Sequence, residues 1–228
     1  MWIEESIKKG NKMRDHFSLS GIDVFVKDQL PREIDTSFVF EYIRSRIPFF
    51  FMSGIDIIYI GQFPKMKERD INAYFEDGAI YVTNDQDDEM DMIEDIIHEI
   101  AHAVESNHQQ FIYSTGAVQR EFIAKRERLS DLLSQKFNVP KDFNTNFEYD
   151  NDIDNFLYRE VGYDALNQIC VNIFPSAYAV TSLSEYWAKG FEELFIGDPS
   201  VLRDTCPVLF RTLIILSIGY AYFKIDYY

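Results

Sequence analysis

Residues 85–104 read DQDDEMDMIEDIIHEIAHAV and decide how the middle of this 228-residue chain folds. Apolar residues recur there at intervals of three and four, which predicts one amphipathic helix. Asn84 or Asp85 is the expected N-cap, and acidic residues fill the first turn, where they interact favourably with the positive end of the helix dipole. The apolar stripe consists of Met92, Ile93, Ile96, Ile97, Ile100 and Val104.

The same helix contains the sequence His98-Glu99-Ile-Ala-His102. Histidines four residues apart lie one above the other on a helix, so both imidazoles reach a single metal ion. This spacing predicts one Zn²⁺ held by His98 and His102, with Glu99 as the general base that takes a proton from the attacking water. Both histidines lie nearly opposite the isoleucine stripe and are expected to face a cleft or solvent. The alternative is a chance spacing of two surface histidines.

The third ligand is less evident from spacing. His108 lies six residues after His102, where metzincins (HExxHxxGxxH) have their third histidine. That pattern requires a helix-breaking glycine where this chain has Glu105, and a methionine turn downstream. The methionines, at positions 1, 13, 52, 66, 90 and 92, all precede the motif. A metzincin is therefore excluded, and His108 is expected to be an exposed residue past the end of the helix.

A carboxylate from a later helix is the other option, and residues 175–195, PSAYAVTSLSEYWAKGFEELF, supply one. This segment resembles the third-ligand helix of gluzincin metallopeptidases of the anthrax lethal factor type, which reads approximately E-F/Y-F/W-A-x-x-F. Glu185 begins the matching stretch, and Tyr178 precedes it by seven residues, as in that family. The resemblance implies that Glu185 is the third zinc ligand and that Tyr178 donates its hydroxyl to the oxyanion of the tetrahedral intermediate.

The resemblance covers only the HExxH helix and the segment around Glu185, and the interval between them is longer than in the toxin. It therefore implies a catalytic architecture and no toxin function. The chain is also similar to small peptidase-like proteins encoded by large phages. Ser182 and Glu185 form a capping-box pattern, so the carboxylate has a purely structural alternative. Glu192 is the reserve ligand, and Tyr178, one of fourteen tyrosines, has a structural alternative too.

The wider pattern predicts an α+β, zincin-like fold in a single domain, 1–228. Residues 49–63 are strand-like, and residues 73–83 predict a hairpin turning on Glu76-Asp77-Gly78. A small mixed sheet with this hairpin and the active-site helix is expected within 1–110, and a helical part with the third ligand within 111–228. Helical spacing is found at 117–137, 151–173, 184–196 and 207–223.

Charge and hydropathy restrict the partners. Twenty-two basic residues stand against 38 acidic ones, a net charge of -16, which excludes nucleic acid and disfavours an anionic membrane surface. Residues 207–223 are the only membrane candidate, but Arg211 leaves an uninterrupted apolar stretch, 212–223, that is shorter than the roughly 20 residues needed. A buried core helix is expected there, and the expected partner is a protein or peptide substrate.

The N-terminus has acids at positions 4 and 5 and no apolar h-region, which predicts a cytoplasmic protein. The phage virion and the cytoplasm of an infected cell are alternatives. Cys170 and Cys206 are expected to be buried thiols rather than a disulfide. Residues 1–40 are interpreted as either a regulator of access to the site or ordinary scaffold.

Together these features predict a zinc metallopeptidase, with an endopeptidase as the expected form. A zinc hydrolase of a non-peptide amide is one alternative, because the motif specifies metal and water rather than the leaving group. A non-catalytic zinc-binding phage or host-interaction protein is the other. Glu99 argues against the latter, since a structural zinc site uses four protein ligands and needs no base.

Overall fold

A computed structural model describes residues 16–223 of the chain. The fold is α+β, as predicted, with a mixed sheet in the first half and a helical second half. Two compact units are distinguished, one ending at Val104 and the other beginning at Glu105. The predictions for the N-terminal sequence and for the first part of a regulatory segment fall on residues 1–15, outside the described residues.

The first unit contains a sheet in the order β1-β2-β3-β5-β4. The β2–β3 and β3–β5 pairs are parallel, and the two outer pairs are antiparallel. The strands are β1 (His16–Leu19), β2 (Ile22–Val26), β3 (Ile57–Ile60), β4 (Ala73–Glu76) and β5 (Ala79–Val82), and helices α1 (Thr36–Arg46) and α2 (Pro64–Arg69) lie between them in the chain.

The two faces of the sheet differ because side chains alternate along each strand. One face is the core, with fully buried Val24, Ile58, Ile60, Ile80 and Val82. The other has a row of half-buried aromatic rings at paired positions, Phe25, Tyr59, Tyr81 and Tyr74. Their successive ring centroids lie 6.0, 5.2 and 4.5 Å apart. Such cross-strand pairs stabilise the strand register.

Residues 49–63 form less strand than predicted. Phe49–Met52 is a 3₁₀ helix after Pro48, and only Ile57–Ile60 pairs in the sheet. Gly54, with φ 90°, interrupts the extended backbone between them. The predicted hairpin is confirmed: Asp77 and Gly78 have φ values of 49° and 81°, the two positive angles that a tight hairpin turn requires.

Helix α3 (Glu89–Tyr113) contains the HExxH sequence, and its predicted apolar stripe is buried. The predicted N-cap is wrong: Asp88 Oδ1 accepts hydrogen bonds from the amides of Met90 and Asp91, at 2.7 and 3.0 Å. His108 lies at a kink within α3, where its φ of -125° and ψ of 17° end the regular helix that contains the motif, and a second helical segment continues to Tyr113. The prediction of an exposed side chain is wrong, because His108 is half-buried.

The second unit is helical, as predicted. Its elements after α3 are α4 (Ala117–Leu133), α5 (Asn151–Asn155), a π-helical turn (Phe156–Val161), α6 (Tyr163–Ile169), a 3₁₀ turn (Tyr178–Val180), α7 (Leu183–Phe195), α8 (Pro199–Thr205) and α9 (Pro207–Phe223). The predicted helix 151–173 is interrupted at Gly162, whose φ of 80° ends the π-helical turn before α6 begins.

Helices α7 and α9 pack closely. A Cβ added at Gly190 would clash with the Leu209 side chain. Glu121 of α4 accepts hydrogen bonds from the Tyr186 hydroxyl (2.8 Å) and from the amides of Val208 and Leu209 (both 2.9 Å), so it caps α9 and joins three helices. Within residues 16–223, no helix combines the length and the apolar character needed to cross a membrane. Cys170 and Cys206 are free and buried, as predicted.

Candidate metal centre

His98 and His102 present their ring nitrogens to each other on successive turns of α3. Their Nε2 atoms are 3.1 Å apart, and the ring planes are inclined by 80°. A tetrahedral zinc ion with nitrogens at about 2.0–2.1 Å places two of them about 3.3 Å apart. The imidazoles are half-buried and already have the spacing of two ligands of one ion.

Glu99 is less accessible than the two histidines beside it. Only 5% of its surface is exposed, although a glutamate is seldom buried without a partner or a function. Ile97 and Ile100, which precede and follow the His98-Glu99 pair in the sequence, are fully buried. A carboxylate in this position acts in a medium that screens charge less than bulk water does.

Glu185 lies in the first turn of α7. The Ser182 side chain is the N-cap and accepts a hydrogen bond from the Glu185 amide at 3.1 Å, so the hydroxyl part of the predicted capping box is present. Tyr186 and Trp187 are fully buried and fix the rotation of the helix, which leaves Glu185 half-buried beside them. The reserve candidate, Glu192, instead forms an ion pair with Lys189 at 2.8 Å.

His98, His102 and Glu185 meet the geometric requirement for holding one metal ion. Each offers one ligand atom, and these atoms lie within 4.8 Å of one another. Two imidazoles and one carboxylate are the donor set of hydrolytic zinc sites, which leave the fourth position open for water. The donors present therefore fit a zinc ion. Within the described part of the chain, this group includes neither His108 nor Glu192.

The chain matches no family model, no curated protein and no solved structure.

Tyr178 lies in the 3₁₀ turn before α7, with 37% of its surface exposed. Partial burial, followed by the charge of Glu185, raises the pKa of its hydroxyl far above the ordinary tyrosine value, so the group is a proton donor at neutral pH. Tyr163, which the sequence did not single out, packs against it with ring centroids 6.5 Å apart. Burial, then the charge of Asp154, raises the pKa of Tyr163 to about 12.

Glu105, like Tyr163, is a residue near the site that the sequence did not single out. Its side chain is buried, and its two carboxylate oxygens accept hydrogen bonds from the Tyr113 and Ser184 hydroxyls, each at 2.5 Å. The contact to Ser184 ties the C-terminal part of α3 to the residue that precedes Glu185. The glutamate that breaks the metzincin pattern is therefore a structural link within the second unit.

Arg126 is another residue that the sequence did not single out. It lies on α4 and is fully buried. Desolvation lowers the pKa of its guanidinium to about 10, and the charge of Asp150 opposes that change. The rings of Phe122 and Phe143 lie against it, 4.6 and 5.0 Å from the guanidinium carbon. A sequence signal did exist: Arg126 occupies one position of the buried stripe Val118, Phe122, Arg126, Leu129 and Leu133. A charged residue in an apolar stripe needs internal hydrogen-bond partners.

Proposed function

We propose that the chain is a zinc-dependent metallopeptidase of the gluzincin type with a zincin-like fold. His98, His102 and Glu185 hold one zinc ion in this proposal. The observation that supports it most is the grouping of one ligand atom from each of these three residues within 4.8 Å. The local resemblance to the lethal factor type of peptidase supports the same ligand set.

A bound zinc ion would act as a Lewis acid and lower the pKa of a coordinated water to about 7. Glu99 takes the proton of the attacking water and later delivers it to the leaving amine. Tyr178, protonated at neutral pH, donates its hydroxyl to the oxyanion that forms on the substrate carbonyl. The histidines remain neutral throughout, because only the unprotonated nitrogen is a metal ligand.

Strand β4 is the proposed binding edge for an extended peptide. In the described part of the chain it pairs only with β5. Asn72 O accepts a hydrogen bond from Thr83 N, so Asn72 and Thr83 form a hydrogen-bonded pair. Such pairs alternate along an antiparallel ladder, and the next one toward the turn is Tyr74–Tyr81. The backbone groups of Ala73 and Phe75 therefore point away from β5, where an added strand would bind them. This geometry favours an endopeptidase.

Two other functions use the same residues. A non-peptide amide hydrolase needs the same metal, water and base, so only substrate tests separate it from a peptidase. A non-catalytic zinc protein is disfavoured by Glu99, since a structural site has no use for a base beside an open position. The proposed location is the cytoplasm, with the phage virion or the cytoplasm of an infected cell as alternatives.

The first experiment measures metal content. The full chain is purified without chelator, and zinc is determined by plasma mass spectrometry in wild type, Glu99→Ala, Glu185→Ala and, as a matched control on the same helix, Glu192→Ala. We expect about one zinc per chain in wild type, Glu99→Ala and Glu192→Ala, and little in Glu185→Ala. Wild-type protein that holds no zinc after reconstitution would refute the proposal.

The second experiment concerns catalysis. Zinc-loaded wild type is incubated with a peptide library, and cleavage is read by mass spectrometry beside Glu99→Gln. Cleavage by wild type and its loss in the zinc-loaded variant support the peptidase. Zinc binding without cleavage of peptides or of simple amides would favour the binding protein.

A further inference from the structure

The guanidinium of Arg126 uses all five of its N–H donors, and every acceptor is a backbone carbonyl. Nε and Nη2 donate to Val180 O at 2.9 and 2.6 Å, and Nη2 also donates to Thr181 O at 2.9 Å. Nη1 donates to Phe143 O and Asn146 O, at 3.0 and 2.7 Å. A fully buried cation is thus satisfied by carbonyl dipoles rather than by a carboxylate.

These carbonyls belong to the segment that leads into α7. Val180 and Thr181 directly precede Ser182, the N-cap of the helix that carries Glu185. The Leu183 amide donates to Phe147 O at 2.8 Å, so the loop around 143–147 and the segment 180–183 are joined by a backbone hydrogen bond as well. Arg126 therefore contacts both segments where they meet.

We propose that Arg126 is a positioning residue that fixes the segment from Tyr178 to Glu185 before any metal binds. Tyr178 lies two residues before the first bound carbonyl, and Glu185 lies four residues after the last. Holding the backbone between them limits the directions in which both side chains point. For metal affinity, this inference rests on the proposed function. For the backbone order of the segment, it does not.

A guanidinium suits this arrangement of carbonyl acceptors better than an ammonium does. A planar fork with five donors serves four separate carbonyls at once, whereas a lysine ammonium has three donors and no fixed plane. The flat cation also fits between the Phe122 and Phe143 rings, which a tetrahedral ammonium fills poorly. Arg126→Lys is therefore expected to be a partial loss and Arg126→Met a full one.

The test compares Arg126→Lys and Arg126→Met with Leu129→Ala. Leu129 is a suitable control because it is fully buried on the same helix and its side chain has no donor for these carbonyls. Amide hydrogen exchange is measured on metal-free full-length protein under conditions where each variant is folded. Zinc affinity is measured by competition with a chromogenic chelator. Unfolding midpoints identify how much general stability each substitution removes.

We expect both Arg126 variants to speed exchange at residues 178–185 beyond what Leu129→Ala causes at equal stability. We also expect them to weaken zinc binding by about 10–100-fold, the usual effect of losing a group that supports a ligand. If either folded Arg126 variant exchanges in this segment as the control does, the positioning role is refuted. Absence of zinc in wild type with faster exchange in the variants would refute the proposed function and leave the positioning role standing.

Discussion

The Nε2 atoms of His98 and His102 lie 3.1 Å apart on successive turns of one helix. Two neutral imidazoles at this distance can share one hydrogen bond, but a metal ion between them would bind the lone pairs of both. Because the two histidines are four residues apart on one helix, the backbone of α3 sets their spacing. The buried apolar stripe of α3 in turn holds the helix in place. The proposed ligand pair therefore already has its spacing without a metal, so metal binding would cost little conformational entropy at these two side chains.

Replacing either histidine is expected to abolish zinc binding. His98→Ala or His102→Ala removes one of the proposed direct ligands, so the zinc affinity should fall by more than the roughly 10–100-fold typical of outer-shell changes. His108→Ala, on the same helix, is the matched control and should keep about one zinc per chain. Retention of zinc by His102→Ala, or its loss in His108→Ala, would contradict this ligand set.

Removal of the Tyr178 hydroxyl should slow catalysis without releasing metal. Tyr178→Phe keeps the ring but deletes the hydroxyl proposed as the oxyanion donor, so kcat should fall by about 100–1,000-fold, the range for one such donor. KM and zinc content should change little. Tyr163→Phe is the control. An equal loss of kcat in Tyr163→Phe would contradict the assignment of the oxyanion donor to Tyr178.

A proline on the β4 edge should weaken peptide binding. The Ala73 N–H points away from β5, so Ala73→Pro removes an outward donor while the ladder to β5 is kept. KM for an extended peptide should rise and kcat should stay near the wild-type value. Ala73→Val, which retains the N–H, serves as the control. An unchanged KM in the proline variant would show that peptides bind elsewhere.

His108 should contribute to acid sensitivity. Burial lowers the pKa of its imidazole, so the unfolded chain binds more protons between the lowered value and the ordinary one near 6.5. The contribution is present above about pH 6.5 and is lost as the pH falls toward the folded-state pKa. The slope from this residue stays below the single-proton limit of about 1.4 kcal/mol per pH unit.

The pH effect is measured by urea unfolding of metal-free protein between pH 5 and 8. The His108→Gln variant should show a shallower decline toward acid than wild type. Identical slopes for the two proteins would mean that His108 titrates alike in the folded and unfolded states.

Both cysteines should be unreactive in the folded protein. Burial raises the pKa of the Cys170 thiol to about 12 and that of Cys206 to about 11, so almost no thiolate exists near neutral pH. We expect a thiol-specific chromogenic reagent to label neither at pH 8, and to label two thiols per chain in denaturant. Rapid labelling of native protein would place at least one thiol at the surface.

The features of the fold that could be predicted from the sequence depend on patterns within short segments of the chain. Helix α3 follows from a regular apolar spacing, and the β4–β5 hairpin follows from a turn that needs two positive φ angles at Asp77 and Gly78. The capping residue was missed because several acidic and amide residues precede the helix. Asn84 instead hydrogen-bonds Gln62 and Gln29 O, which fixes it in the loop after β5.

Contacts between residues distant in sequence could not be predicted in the same way. Glu185 was found through a family resemblance, since no spacing rule connects it to His98 and His102. The acceptors of Arg126 are carbonyls, which every residue possesses, so no sequence pattern marks Val180 or Thr181 as its partners. The charge within the apolar stripe of α4 signalled a buried group but gave no indication of what it binds.

The close packing of Gly190 against Leu209 sets a trimming boundary for shortened versions of the chain. A protein ending before Pro207 would lose the two hydrogen bonds that the Val208 and Leu209 amides donate to Glu121. It would also expose the side of α7 at Gly190, where Leu209 packs. The helix bearing Glu185 would then have one long neighbour fewer. A minimal fragment designed for crystallography or isotope labelling should therefore retain Pro207–Phe223, even though these residues lie far along the chain from the HExxH sequence.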